Sequence, residues 1–504
     1  MPRLLASLTV FISSACIMVI ELVAGRMVAP ALGVSLFTWT TVIGVVLGGI
    51  GLGNFLGGRI ADRYPSRHAL VVLLLLGALV SLSIVFTIEA VSLFFVLPLA
   101  WPIVLRFLLV IGLVFFLPTT VLGTITPVVI KLSLHDLARA GVTVGTLYAL
   151  SLAGSIAGTF ATGFYLIAAF GTRTLVAIVA GVLVLLALLI AARGLRRREA
   201  ALAGLCLAML AVSDASHQLA SPCVRESNYF CIRVEVASEG SEPLRLLYLD
   251  RLLHSYWNLV KPLDLVYPYE DAYAVVTAYV ARRQPEFAML SIGGGGFVFP
   301  YYVTQVYPRS TVTVAEIDPA VTEVAREQFA LASSPPVEVY DGDGRLYLTT
   351  MARDRRFDLI VGDAFNDFSV PYHLTTREFD QLVQAHLKPG GIYMANIIDI
   401  PSQGHFFRAF VNTMRSVFAH VSVLGGENYP DPDTRETWVI VGSDSDLSTA
   451  ELAQIAAGTP EWKQAAAEMK ALRLNSYLKK EAPLMLSDDY APTDNLLAPV
   501  FGGD

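Results

Sequence analysis

Two hydrophobic textures follow one another along the chain. In the first, apolar residues dominate residues 4–29, 37–57, 69–88, 103–130, 141–170 and 174–192. A helix needs about 20 apolar residues to cross a bilayer, so each run predicts a transmembrane span. Residues 91–100 are apolar but too few, and predict an interfacial or re-entrant segment. Residues 200–212 are apolar and short as well, and fit either a thin seventh span or a surface helix. Beyond Pro222 the apolar runs shrink to strand length. Residues 233–237 and 244–249 read as strands of a small β-rich lobe, and 271–282 as a helix. Strands at 288–292, 311–316, 337–340, 358–361 and 391–396 then alternate with helices at 297–306, 319–329, 344–352 and 376–386. Such alternation predicts a parallel, doubly wound sheet. The expected order is a polytopic α-helical membrane bundle (1–215), a β-rich lobe (216–270) and an α/β domain (271–504).

Composition sharpens this division. Charged residues make up 16% of the 504 residues and hydrophobic ones 54%, against about 25% charged in soluble proteins. Of the 43 acids, only Glu21, Asp62, Glu89, Asp136 and Glu199 precede residue 200. The net charge of −7 argues against nucleic acid as a partner. Lysine and arginine gather in cytoplasmic loops. Arg59, Arg63 and Arg67 follow the second run, Lys131 and Arg139 the fourth, and Arg193, Arg196, Arg197 and Arg198 the sixth. The N-terminus is therefore expected in the cytoplasm. If residues 200–212 span, the second half lies outside; if not, it lies inside.

Glu21 and Arg26 fall within the first run. Intramembrane charge is a functional hypothesis by default. The two predict either a structural pairing, with each other or with backbone, or a cation or proton site; Arg26 is near enough the helix end to snorkel. Gly145, Gly154, Ser155, Gly158 and Gly163 suit close helix packing better than a pore. Gly58-Arg59-Ile60-Ala61-Asp62-Arg63 resembles the loop motif of major facilitator transporters, and also reads as an ordinary basic loop. Cys16 and Cys206 sit in apolar helices as small core residues. Cys223 and Cys231 flank a polar stretch and are either a disulfide, which needs an oxidising compartment, or two free thiols. No spacing resembles a zinc site, and no metal is expected.

In the α/β part, chemistry follows from position, because ligands bind beyond the carboxyl ends of parallel strands. Gly293, Gly294 and Gly295 end the first such strand, where backbone can approach a ligand and a helix offers free N–H groups. Glu316 ends the second, about 20 residues on, where an acid bonds ribose hydroxyls. Asp343 follows the third strand and Asp363 the fourth. Each acid alone could be a helix N-cap; the set predicts a nucleoside pocket.

These stretches carry a resemblance. They are Leu249-Asp250-Arg251-Leu252-Leu253-His254-Ser255, Ile292-Gly293-Gly294-Gly295-Gly296-Phe297, Glu316-Ile317-Asp318-Pro319, Asp341-Gly342-Asp343-Gly344-Arg345 and Phe357-Asp358-Leu359-Ile360-Val361-Gly362-Asp363-Ala364. With Gly145-Thr146-Leu147-Tyr148-Ala149 and the tail Ser487-Asp488-Asp489-Tyr490-Ala491-Pro492, the chain resembles spermidine synthases, the aminopropyltransferases. It looks most like their bacterial relatives fused to a facilitator-like membrane region. The resemblance implies a Rossmann-like domain of class I methyltransferase type and an integral protein of the bacterial inner membrane. It implies decarboxylated S-adenosylmethionine as co-substrate, without metal, and a small amine such as putrescine as acceptor. By motif, Gly293, Gly294, Gly295, Glu316, Asp343 and Gly344 would hold the donor. Glu316 would take the ribose and Asp343 the adenine amine. Asp363 would be catalytic, facing the reacting amine, while His254, Tyr269 and Asp367 would bind substrate. A homodimer is left open.

The departures fall on the amine side. The family's glycine run ends in Asp-Gly, here Gly296-Phe297. Its Asp-x-x-Asp-Pro reads Asp363-Ala364-Phe365-Asn366-Asp367, its glutamine is His254, and its tyrosine after Thr-x-x-Phe is Asp380. Tyr269-Glu270-Asp271 only loosely matches Tyr-His-Glu. His254, and His373 near Asp363 in the chain, are either ligands or backbone-bonded residues. Three readings follow: an aminopropyltransferase-like enzyme; a methyltransferase-like enzyme using intact S-adenosylmethionine, which loss of the acid at Gly296 would favour; or a polyamine- or nucleoside-binding sensor or transporter.

Overall fold

The computed structural model describes all residues but 97–100, 135, 192–193, 240–241, 334–336, 366–368, 426–434, 460–470, 480–483 and 503–504. The chain divides into two compact units, Met1–Cys231 and Ile232–Asp504.

The first unit holds six helices long and apolar enough to cross a membrane: α1 (Arg3–Leu32), α2 (Leu36–Arg63), α3 (Arg67–Val96), α4 (Val104–Ser133), α5 (Ala140–Phe170) and α6 (Thr172–Ile190). They coincide with the six apolar runs. Residues 91–96 prolong α3 rather than forming a separate interfacial segment; residues 97–100 lie outside the described residues. Residues 58–63 are the closing turns of α2, not a loop, and Asp62 pairs with Lys131 at 2.7 Å. Glycines set the helix spacing. A Cβ at Gly154 would stand 2.1 Å from the Phe11 carbonyl oxygen of α1, and one at Gly158 2.6 Å from that of Ala15. Gly145 instead faces open space. Arg26 donates to the carbonyls of Ser227 and Tyr229 and not to Glu21. Glu21 has no polar partner among the described residues.

A further helix, α7 (Arg197–Ala215), runs beside α3. His68 Nδ1 lies 2.7 Å from Glu199 Oε1, and the Cys206 thiol donates to the Leu75 carbonyl at 3.4 Å. Both contacts join residues 131 apart in sequence, so the two helices run parallel and in register. Cys223 and Cys231 form a disulfide.

The second unit begins with an antiparallel meander of β1 (Cys231–Glu239), β2 (Glu242–Leu249) and β3 (Leu252–Asn258). Sequence alternation marked only the first two; β3 mixes His254 and Ser255 into its pattern and was not expected. After α8 (Pro268–Arg283) comes the larger sheet. Its elements in chain order are β4 (Ala288–Ile292), α9 (Val298–Val306), β5 (Thr311–Glu316), α10 (Pro319–Gln328), β6 (Glu338–Asp341), α11 (Gly344–Thr350), β7 (Phe357–Gly362), α12 (Arg377–His386), β8 (Leu387–Asp399), α13 (His405–Arg415), β9 (His420–Leu424) and β10 (Glu436–Ser443). The sheet order is β9-β10-β8-β7-β4-β5-β6. Strands β4 to β8 are mutually parallel, but β10 and β9 are antiparallel. The all-parallel expectation is corrected there: pairing with β10 extends β8 to 13 residues, well past the run at 391–396. The fold is Rossmann-like. Strand order reverses about β4, whose neighbours are β5 and β7, so a crevice opens at the carboxyl ends of β4 and β7. Gly293 and Asp363 are the next residues after those ends.

Candidate active site

Backbone hydrogen bonds draw the strand ends together. Gly293 N–H donates to Ala315 at 2.8 Å, Asp363 N–H to Ile292 at 2.8 Å, and Gly342 N–H to Glu316 at 2.7 Å. Gly293 has φ +99°, and a Cβ there would stand 2.0 Å from the Asp363 carbonyl oxygen. Only glycine permits that close approach. Glu316 Oε2 accepts from Gly294 N–H at 2.8 Å and Oε1 from Asp318 N–H at 3.0 Å. Burial pushes the Glu316 carboxyl up to about 7, against these N–H donors, which favour the charged form. The glycine loop, Glu316 and Asp363 therefore share one crevice.

Asp363 sits where several aromatics meet. Its Oδ2 accepts from the Tyr269 hydroxyl at 3.1 Å and its Oδ1 from Asn396 Nδ2 at 2.5 Å. Burial raises its carboxyl to about 6, while these two donors hold it down. Tyr267, Tyr269 and Tyr273 pack edge to face in a row, and Phe299 lies tilted against Tyr273. Glu270, in the first turn of α8, is buried with Oε2 unpartnered. Burial, with Asp363 nearby, pushes its carboxyl well above the usual range. Two buried acids near enough to act on one another thus meet here, which suits a cationic guest.

The other expected residues are distributed as follows. Asp343 caps α11 through the Leu346 N–H at 2.7 Å, and its Oδ2 lies 2.7 Å from His373 Nε2. His373 lowers the Asp343 carboxyl. His373 is thus at the third strand end rather than beside Asp363. Gly344 packs its backbone on Ile292, where a Cβ would stand 2.4 Å from Cγ2. His254 has its Nε2 enclosed without a partner, and burial lowers the ring to about 4, so it is neutral. It is the extra residue of a bulge in β3, where the register steps from Ser255 to Leu253 against Leu247 and Tyr248 of β2. Asp367 and Asn366 lie outside the described residues. Asp380 is wholly buried on α12 with neither oxygen partnered, and burial raises it well above the carboxylate range.

The departure at Gly296 has a physical form. A Cβ there would stand 2.9 Å from Ser255 Cβ and 3.0 Å from Phe329. Ser255 Oγ accepts the Gly296 N–H at 2.8 Å. No space remains for an acid. Phe297 follows at φ +58°, its ring packed so closely on Gly294 that a Cβ would stand 2.6 Å away. Sequence reasoning missed Ser255 and Asn396. Asn396 lies near the carboxyl end of a parallel strand, and extending the strand-end rule to β8 would have found it.

Comparison with known proteins bears on this geometry. A family model described as spermine/spermidine synthase domain matches residues 277–426. A probable polyamine aminopropyl transferase of Bifidobacterium longum is 33% identical over 148 residues, 29% of this chain and 32% of that protein. The eEF1A lysine and N-terminal methyltransferase of Homo sapiens is 27% identical over 141 residues, 25% of this chain and 20% of that protein. A solved probable spermidine synthase from Corynebacterium glutamicum is 21% identical, covering 52% of this chain and 95% of its own, with a TM-score of 0.44. The chain spans a third or less of the length of those two curated relatives. Over residues 277–426, which hold the glycine loop, Glu316, Asp343 and Asp363, the chain is spermidine synthase-like.

Proposed function

We propose that the second unit is an aminopropyltransferase-like transferase that joins the aminopropyl group of decarboxylated S-adenosylmethionine to a polyamine or related amine. The observation that carries this reading is the position of Asp363, an acid beside the glycine loop that accepts from Tyr269, with the carboxyl of Glu270 near enough to feel its charge. The residues suit the nucleoside half of such a donor. The turn Gly293 to Gly295 would bring backbone to it, Glu316 would take the ribose, and Asp343 with Gly344 the adenine. The donor, when bound, supplies a sulfonium whose adjacent carbon is electrophilic. The acceptor nitrogen attacks that carbon, an N–C bond forms, the C–S bond breaks, and methylthioadenosine leaves. The ammonium proton passes to Asp363, which Tyr269 and Asn396 keep ionised and oriented. Apolar walls around the reactants hold them in line. With no acid at Gly296, Glu270 is the remaining carboxyl to face the donor's ammonium, and His254 and Tyr269 line the amine side.

One observation favours a second reading. The packed site at Gly296 has no carboxylate to repel the methionine carboxylate of intact S-adenosylmethionine, so a methyltransferase-like reaction follows from the same pocket. Incubating the purified protein with each donor and putrescine decides between them. Methylthioadenosine supports the first reading and S-adenosylhomocysteine the second. Neither product, with polyamine binding intact, would leave a sensor. For location, we read the six apolar helices as those of a protein integral to a bacterial inner membrane.

A further inference from the structure

We infer that α7 is a seventh membrane span and that it delivers the second unit to the non-cytoplasmic face. Its sequence alone leaves open a surface helix, because its uncharged run is short. The packing decides. Two contacts at a constant sequence offset tie α7 to α3, Glu199 to His68 and Cys206 to Leu75. The far end is fixed too: Arg173 at the start of α6 donates to the Gln218 carbonyl at 3.1 Å and to Glu89 near the end of α3 at 2.5 Å. From His68 to Glu89, α7 and the turn after it accompany α3, which continues to Val96. A segment that follows a spanning helix over that stretch spans with it.

The side chains agree. Glu199, Ala203, Cys206 and Ser213 form the buried stripe against the bundle. The opposite face shows Leu205, Leu207 and Val212, all exposed. No charged residue occurs between Ala200 and Ser213. A helix lying in the interface plane carries a charged face; this one has none and is suited to lipid. Its uncharged run, residues 200–213, measures about 21 Å at the α-helical rise, which makes it a thin span against a hydrocarbon core of about 30 Å. Arg196, Arg197 and Arg198 stand at its start, and long basic side chains reach the interface from there.

The direction follows from the ends. The end of the bundle with Met1, Lys131 and His68 also carries Arg59, Arg63, Arg67 and Arg139, and is the cytoplasmic one by its positive charge. The opposite end receives the chain after α7. Glu226 accepts from the Thr172 N–H at 2.9 Å there, Arg26 holds Ser227 and Tyr229, and the Cys223–Cys231 disulfide closes the segment. A disulfide belongs to an oxidising compartment. Everything after Cys231 is thereby passed to that side. An adenosine-bearing donor, assembled from ATP inside the cell, then reaches the site only through an export step.

The test uses the full chain in a bacterial host. Single cysteines are placed at exposed Arg353 in the second unit (Arg353→Cys) and at exposed Arg139 in the basic face (Arg139→Cys). Spheroplasts are treated with a membrane-impermeant maleimide before and after detergent. Arg353→Cys is expected to label at once and Arg139→Cys only after detergent. Labelling of both on the same side overturns the inference. The unmodified protein gives an independent check: after denaturation, Cys223 and Cys231 should alkylate only once reduced. Alkylation of both without reductant also overturns it.

Discussion

The hydroxyl of Tyr269 donates to Oδ2 of Asp363 across 3.1 Å, linking the first turn of α8 to the carboxyl end of β7. A phenol aimed at a buried carboxylate favours the charged form, while burial opposes it, and the balance leaves Asp363 at about 6. A group titrating there is poised to give or take a proton near neutrality.

For a reaction that needs Asp363 ionised, the rate rises as pH rises through about 6. Tyr269→Phe removes a donor that stabilises the carboxylate, so the rising limb should move to higher pH. Asp363→Asn should reduce turnover by about 10²- to 10⁴-fold, the usual worth of a general base. Product formation followed from pH 5 to 9 in the three proteins checks both. A profile unchanged in Tyr269→Phe would remove Tyr269 from the role.

Burial, with Asp363 nearby, favours the neutral form of Glu270, and Glu270→Gln keeps the shape of that form. Near pH 4 stability should change little, within about 0.5–1 kcal/mol, the net worth of an ordinary hydrogen bond, and at higher pH the variant should be the more stable, since folding no longer has to protonate an acid. Affinity for a cationic ligand should nevertheless fall, because the glutamate can ionise against an ammonium and the glutamine cannot. Titration calorimetry with the decarboxylated donor and with putrescine shows which ligand it faces. Unaltered affinity for both would exclude the acid from binding.

The placement of the strand-end residues around this crevice was legible because it depends on backbone position. Gly293, Glu316, Asp343 and Asp363 follow strands whose apolar runs are plain, and the sheet brings them together whatever the loops do. The surroundings of Asp363 and Gly296 depend on side chains meeting across elements. Nothing local to Asn396 says that β8 lies beside β7, and nothing near Gly296 says that Ser255 and Phe329 fill its space. His373 adjoins Asp363 in sequence, yet Arg345 holds the His373 carbonyl and Asp488, a residue of the distant tail, and turns this loop toward Asp343. In the first unit, hydropathy marked the six long apolar helices and left residues 200–212 open between a thin span and a surface helix, and only contacts with α3 say where α7 packs. Strands β9 and β10 lie beyond the last expected strand, and alternation would not have reported that β10 runs against its neighbours.

Gly296→Asp would supply the carboxylate that spermidine synthases carry at this place. The fold predicts that it does harm instead. The new Cβ would meet Ser255 and Phe329 at 2.9 and 3.0 Å, and overpacking of this kind costs about 1–3 kcal/mol. The melting temperature of the second unit should fall, and donor affinity should not improve. Better donor binding with unchanged stability would show that Ser255 and Phe329 yield readily.

Buried acids also set how stability depends on pH. Glu316 and Asp399 are raised to about 7 and Asp363 to about 6, and Glu270 and Asp380 lie well above the carboxylate range, burial being the main cause in each. In the unfolded chain these groups return to about 4. Between those values the folded state holds protons that the unfolded state has released, so stability falls as pH rises. The decline should begin near pH 4 and continue through about 7. The second unit should therefore melt at a higher temperature at pH 5 than at pH 8, the reverse of a protein held by ionised carboxylates. Asp380 makes the cause separable, because neither of its oxygens has a partner to lose. Asp380→Asn should raise the melting temperature more at pH 8 than at pH 5. A scan by tryptophan fluorescence at the two pH values, for both proteins, reads the difference directly. Equal melting temperatures at pH 5 and 8 in the unsubstituted protein would mean that these carboxyls ionise as freely in the fold as outside it.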